Sequence, residues 1–231
     1  MLKILYIIDG WNIGGAQEIL STLNKHLDKT AFVTEAAGLH GEGELKSELE
    51  KLCSKVYSFG RSKYNLITII KNLWQCLKTN KPDILHLHLE VSTLLGTILA
   101  RLVGIKYVVV SIHSLPTQVS CMVYRLFAWL SFWIDSYIVE DKIACAELMK
   151  LGVDKTKIRH IPIGTDYLNY LKDAVVNGTT IRDEFGLSQD SPLILNIARL
   201  HPRKGQEFLL KAMKLVLEKV PTANLLLVGW G

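Results

Sequence analysis

Short β-branched or apolar runs alternate along this chain with stretches in which apolar residues return every three or four positions. That alternation predicts an α/β fold, a parallel sheet covered by crossover helices. The first strand is expected over residues 3–8. The helix after it begins near Gly15 and sets Ile19, Leu20, Leu23 and Leu27 on one core-facing stripe. Further strands are expected at 31–37, 54–59, 83–88, 106–111, 136–139 and 157–161, with helices at 43–52, 65–78, 91–102, 118–134 and 142–151. A first Rossmann-like domain then spans residues 1–168, closing on Ile161-Pro162-Ile163-Gly164-Thr165-Asp166. Residues 169–190 read as a polar linker with a short helix, carrying Lys172, Asp173, Asn177-Gly178, Arg182, Asp183 and Glu184.

From residue 191 the pattern restarts: strand 192–198, helix 206–220, strand 224–228. This is one unit of a second parallel sheet. Everything after residue 168 amounts to about 60 residues, against ~100 to 200 for a typical domain, so residues 191–231 are expected to be only the start of a second domain. Ligands of such sheets bind outside the carboxyl ends of the strands, which makes the residues just after strands the ones to inspect.

Helix 118–134 is unusual in its apolar coverage, with only Ser120, Arg125 and Ser131 interrupting. It is short for a membrane span, so it reads as a buried helix or as an interfacial membrane contact. Composition supports a globular chain, 49% hydrophobic with mixed charge, and the net charge of +5 is spread out, which argues against a nucleic-acid face. Cys53, Cys76, Cys121 and Cys145 form no Cys-x-x-Cys pair, so a zinc knuckle or redox motif is not expected and a reducing cytosol is the simplest setting. The apolar start ends at Asp9-Gly10, too soon for a signal peptide, and the sequon Asn177-Gly178-Thr179 then reads as a linker turn.

Three places carry candidate chemistry. After the first strand, Gly14 and Gly15 open a helix and could let backbone approach a phosphate. Their spacing is not Gly-x-Gly-x-x-Gly, which disfavours a dinucleotide site and leaves a tight turn as the alternative. His113 follows the strand ending at Ser111, where an imidazole could orient a hydroxyl or stabilise charge. His86 and His88 share a strand face near Glu90, but no further ligand cluster accompanies them, so no metal site is expected. The most informative stretch is 193–205, Leu-Ile-Leu-Asn-Ile-Ala-Arg-Leu-His-Pro-Arg-Lys-Gly, a strand delivering Arg199 and Lys204-Gly205 to a helix start. Unpaired amides and two cations there suit a diphosphate. A lysine at a helix N-terminus is unfavourable unless an anion compensates it.

With these residues in hand, the chain resembles glycosyltransferase family 4, the retaining group with the two-domain GT-B fold. The resemblance runs through Gly14-Gly15-Ala16, Pro82-Asp83-Ile84-Leu85-His86-Leu87-His88, the strand to His113, the segment 161–166, and Ala198-Arg199-Leu200 with Lys204-Gly205. It implies two Rossmann-like domains facing a cleft, Arg199 and Lys204 on the diphosphate of a nucleotide-sugar donor, the Gly14-Gly15 loop approaching it, and His113 near the transferred sugar. It further implies hexosyl transfer with retention to a carbohydrate or lipid-linked acceptor, in polysaccharide or glycolipid assembly. No cofactor or obligatory metal and no nucleic-acid partner are implied, and the setting is cytoplasmic, or peripheral on the inner face of the membrane.

The chain departs from the family at Glu140, where serine is frequent, and at Ile163, where asparagine often precedes the glycine. It also lacks the later pair of glutamates that hold the donor, so these 231 residues alone are expected to transfer no sugar. The competing readings are another GT-B activity, such as a sugar-nucleotide epimerase or a phosphorylase, and a non-catalytic partner that binds a nucleotide, a membrane or another transferase.

Overall fold

The computed structural model describes residues 1–12, 14–60, 65–113, 121–165, 167 and 181–230. The chain separates into two compact units, Met1–Asp166 and Tyr167–Gly231. The sequon 177–179, the linker residues Lys172 and Asp173, Asp166 and the helix start 118–120 lie outside the described residues.

In the first unit seven strands form one parallel sheet: β1 (Leu2–Gly10), β2 (Phe32–His40), β3 (Lys55–Ser58), β4 (Ile84–His88), β5 (Tyr107–Ile112), β6 (Ser136–Val139) and β7 (Ile158–His160), in the order β3-β2-β1-β4-β5-β6-β7. Six helices connect them: α1 (Gly15–His26), α2 (Glu44–Leu52), α3 (Leu66–Asn80), α4 (Glu90–Val103), α5 (Cys121–Leu130) and α6 (Lys142–Lys150). Strand order reverses between β1 and β4, the position where open α/β sheets leave a crevice.

The strand side chains sort onto two faces because successive residues point to opposite sides. Leu5, Ile7, Leu85, Leu87, Val108, Val110, Tyr137 and Val139 meet α3 to α6 in the larger core, through Leu73, Leu99, Phe127, Leu130 and Leu148 among others. Ile4, Tyr6, Ile8 and Ala36 face the other way and pack with Leu20 of α1 and Leu45 and Leu49 of α2. Parallel register carries this second face across the sheet: Ile8 pairs with His88, His88 with Ser111, and Ser111 with Ile138. Both strand histidines therefore stand on the side of the sheet that carries α1.

Local chemistry fixes the element ends. Asn65 caps α3 by accepting from the Thr68 amide, and the Asp141 side chain accepts from Ile143 and Ala144 at the start of α6. The expected helix 118–134 is shorter and more two-sided than its composition suggested. It ends at Leu130, where Ser131 and Trp133 form turns back to Ala128 and Leu130. The carbonyls beyond it are taken by cations: Lys157 Nζ donates to the oxygens of Ser131 and Ile134, and Arg101 Nε to that of Trp133. Tyr124, Phe127 and Leu130 turn inward, while Met122, Arg125 and Trp129 are exposed.

In the second unit, α7 (Ile181–Glu184) precedes β8 (Leu193–Ile197), α8 (Gln206–Lys219) and β9 (Asn224–Val228). β8 and β9 pair in parallel, from Leu193 with Asn224 to Ile197 with Val228. A 3₁₀ turn, Pro202–Lys204, that the sequence pattern did not indicate, separates β8 from α8.

Candidate functional site

At the carboxyl end of β1 the chain does more than turn. Asp9 accepts from the amides of Ser92 at 2.7 Å and Val91 at 3.2 Å, so it caps α4 across the β1/β4 crevice. Burial raises its pKa, while these amide bonds pull the other way. The anion-binding amides at the start of α4 are thus occupied from within. Two residues on, Trp11 is buried and donates its indole N–H to Ser58 Oγ at 2.9 Å. Gly14 is the N-cap of α1, in extended conformation with no side-chain cap, and a Cβ on Gly15 would meet nothing within 4 Å. At Gly14 the space is filled instead by Gln17, whose Oε1 would lie 2.8 Å from a Cβ there.

His113, Glu140, His86 and His88 come together from three neighbouring strand ends. His113 Nδ1 lies 2.5 Å from Glu140 Oε1, and His113 Nε2 lies 2.9 Å from His88 Nδ1. Both ring nitrogens of His113 are therefore engaged, and its side chain is only 5% exposed. His86 Nε2 bonds Ser111 Oγ at 2.8 Å. The rings follow one another, with centroids 5.2 Å apart and planes nearly parallel for His88 and His113, and 4.3 Å apart and tilted by 33° for His86 and His88. Burial drives the His86 pKa down to about 3, helped by the nearby His113, and carries His88 well below the ordinary imidazole value. His88 Nε2 is buried without a hydrogen-bond partner.

His86, His88, Ser111 and Glu140, but not His113, border a cavity of about 460 Å³ lined also by Ile19 and Leu23 of α1, Ile138, and the segment from Ile161 to Thr165. One nitrogen of each strand histidine is engaged, His86 Nε2 with Ser111 and His88 Nδ1 with His113. Among the described residues no group of three or more His, Cys, Asp or Glu is placed to hold a metal.

Backbone strain marks the same place. Leu89, between His88 and α4, has φ +72° and ψ 176°, a conformation in which a side chain is disfavoured. The turn is held by Asp9, by Thr93 Oγ1 donating to the Leu89 oxygen at 2.6 Å, and by Ser92 Oγ donating to the His88 oxygen. Sequence reading had not connected Glu140 or His88 with His113, nor Asp9 with α4. The available signal was positional: Asp9, His88, His113 and Glu140 each lie at or just after the carboxyl end of a strand.

In the second unit Arg199 follows β8 and Lys204 immediately precedes Gly205, the N-cap of α8; both cations are exposed. Gly205 has φ +72°, a left-handed turn that suits glycine, and supplies no side-chain cap. Gln206 Nε2 donates to the Arg199 oxygen at 2.9 Å, fixing the backbone beside the helix start. Glycine is needed again at Gly229, where a Cβ would lie 1.9 Å from the Ala198 oxygen. Two cations thus flank a helix start that no side chain caps.

The architecture, a seven-stranded parallel sheet followed by a βαβ unit with a basic helix start, is that of GT-B proteins. The crystal structure of Anabaena HepE in complex with UDP and glucose shares it with a TM-score of 0.80 at 19% identity, over 100% of this chain and 62% of that one. UDP-GlcNAc 2-epimerase from Neisseria meningitidis, bound to UDP-GlcNAc, follows at 0.59 and 15% identity, over 98% of this chain and 65% of that one.

The chain belongs to glycosyltransferase family 4, whose model matches residues 13–167. The model for glycosyl transferases group 1 matches residues 177–231. A relative in Escherichia coli, UDP-Gal:alpha-D-GlcNAc-diphosphoundecaprenol alpha-1,3-galactosyltransferase, is 30% identical over 69% of this chain and 43% of its own length. The chain thus spans less than half of that relative.

Proposed function

We propose that this protein transfers a hexose from a nucleoside-diphosphate sugar to an acceptor hydroxyl with retention of configuration, in polysaccharide or glycolipid assembly. The observation that carries the reading is the start of α8, where Arg199, Lys204 and uncapped amides offer fixed positive charge to a leaving diphosphate. Such groups accelerate transfer by stabilising charge that develops as the glycosidic bond breaks, without any metal in the scheme. Family membership favours transfer over epimerisation, a distinction the shared fold does not make. The name of the E. coli relative specifies a UDP-sugar donor and a lipid-linked acceptor, which supports the same substrate classes here.

A peripheral membrane position fits such an acceptor. Met122 and Trp129 of α5 are 73% and 61% exposed and flank Arg125 at helical spacing, with Phe132, 68% exposed, in the turn just beyond the helix. An aromatic face with a cation suits the headgroup boundary, and among the described residues no helix is long and apolar enough to cross a membrane. Co-sedimentation with anionic vesicles should fall on Trp129→Ser with Phe132→Ser; unchanged binding removes the membrane part of the proposal.

Calorimetric titration with UDP and with GDP tests the donor site. Binding to one of them is expected, with a loss of at least about 10-fold in affinity for Arg199→Ala combined with Lys204→Ala. Equal binding by the variant would exclude these residues as the diphosphate site.

A further inference from the structure

We infer that Glu140 is a positioning residue for His113, fixing its ring as the Nδ1–H tautomer and, through it, His88 as the tautomer whose bare Nε2 ends the series. The inference rests on the transferase reading above. A carboxylate can only accept hydrogen bonds, so at 2.5 Å from Glu140 Oε1 the His113 Nδ1 must carry the hydrogen. A neutral ring then has its lone pair on Nε2, facing His88 Nδ1 at 2.9 Å, which must donate. His88 Nε2 becomes a second lone pair, and it is this atom that is buried without a partner. One carboxylate therefore sets the direction of the whole series Glu140, His113, His88.

The arrangement is poorly explained as packing alone, because a device for stability would not leave its last nitrogen unsatisfied. Nor is the His88 backbone free to relax: strained Leu89 follows it, and Asp9, Ser92 and Thr93 pin that turn. The series is held at its backbone and aligned by hydrogen bonds, with lone pairs presented at Nε2. His88 fills the His113 lone pair and itself lines the cavity, so the acceptor that the series offers a hydroxyl is His88 Nε2. The positioning role belongs to the carboxylate in this chain.

Imidazole ¹⁵N spectra of the labelled chain at about pH 8, above the ordinary histidine range, test this directly. Wild-type protein should show His113 protonated at Nδ1 and bare at Nε2. Glu140→Ala should shift the proton to Nε2, the form preferred by a histidine in water, while Glu140→Gln, whose amide oxygen can still accept, should keep it on Nδ1. An Nε2–H ring in the wild type, or an unchanged Nδ1–H ring in Glu140→Ala, overturns the inference.

In a protein that carries a complete second domain, a transfer assay supplies the second readout. Glu140→Ala should lower kcat by at least about 10-fold with little change in donor KM, and Glu140→Gln should recover most of the loss. Unchanged kcat in Glu140→Ala defeats the positioning role. The spectra do not depend on turnover, so they decide the tautomer whether or not these 231 residues transfer sugar.

Discussion

Trp11 shows how much one side chain organises at the carboxyl end of the sheet. Its ring lies against Gly38 of β2 and its backbone oxygen against Gly43; a Cβ at either glycine would come within 2.3 Å of it. A rigid ring beside a buried strand has little room to move, so Gly38→Ala should cost about 1 to 3 kcal/mol, read as a lower urea midpoint. A midpoint equal to wild type would mean that the ring relocates freely. The histidines make a pH-dependent contribution of definite sign. His86 stays neutral in the fold down to about pH 3, whereas the unfolded chain takes up that proton near the ordinary value. The unfolded state thus binds more protons between those limits, and stability present above them is lost as pH falls. The limiting slope is about 1.4 kcal/mol per pH unit for each such group. His86→Gln should flatten the stability profile between about pH 6 and pH 4; the same slope in the variant would contradict the assignment.

Helices α4 and α8 begin in opposite ways, and the contrast explains their roles. The first amides of α4 are capped by Asp9 from another strand, whereas α8 starts at a left-handed glycine with no side-chain cap and a lysine beside it. Removing the cap should loosen only the capped helix. For Asp9→Ala we expect a loss of about 1 kcal/mol, reduced from the upper range because burying the carboxylate already costs part of what its bonds return. Amide exchange at Val91 and Ser92 should quicken while α3 stays unchanged; uniform quickening across the sheet would indicate general destabilisation instead. Helix α5 likewise divides its work, holding Tyr124, Phe127 and Leu130 in the core and leaving Met122, Arg125 and Trp129 outside.

The two units differ most in how much core each possesses. The first builds a core on each face of its sheet, while in the second the described buried residues are Met213, Ala223 and Ser191, and Phe208, Leu210 and Leu215 of α8 are exposed. Regions with few buried contacts open at lower free energy. Hydrogen exchange should accordingly be faster throughout α8 than in α4, and slow exchange in α8 equal to that of α4 would show a stabilising contact not seen within its unit. The sequence by itself determined the α/β alternation, nearly every strand and helix, and the basic helix start at Arg199 and Lys204. Those features are local: period, β-branching and a strand-to-helix turn are written in consecutive residues. Tertiary structure alone decided that Asp9 caps α4, that Trp11 fills the space over Gly38 and Gly43, and that Glu140, His113 and His88 form one hydrogen-bonded series. The last arises because parallel pairing lays β4, β5 and β6 side by side, bringing into bonding distance residues 25 and 27 positions apart along the chain. Hydrogen bonds of that kind depend on register and side-chain direction, which no run of neighbouring residues encodes.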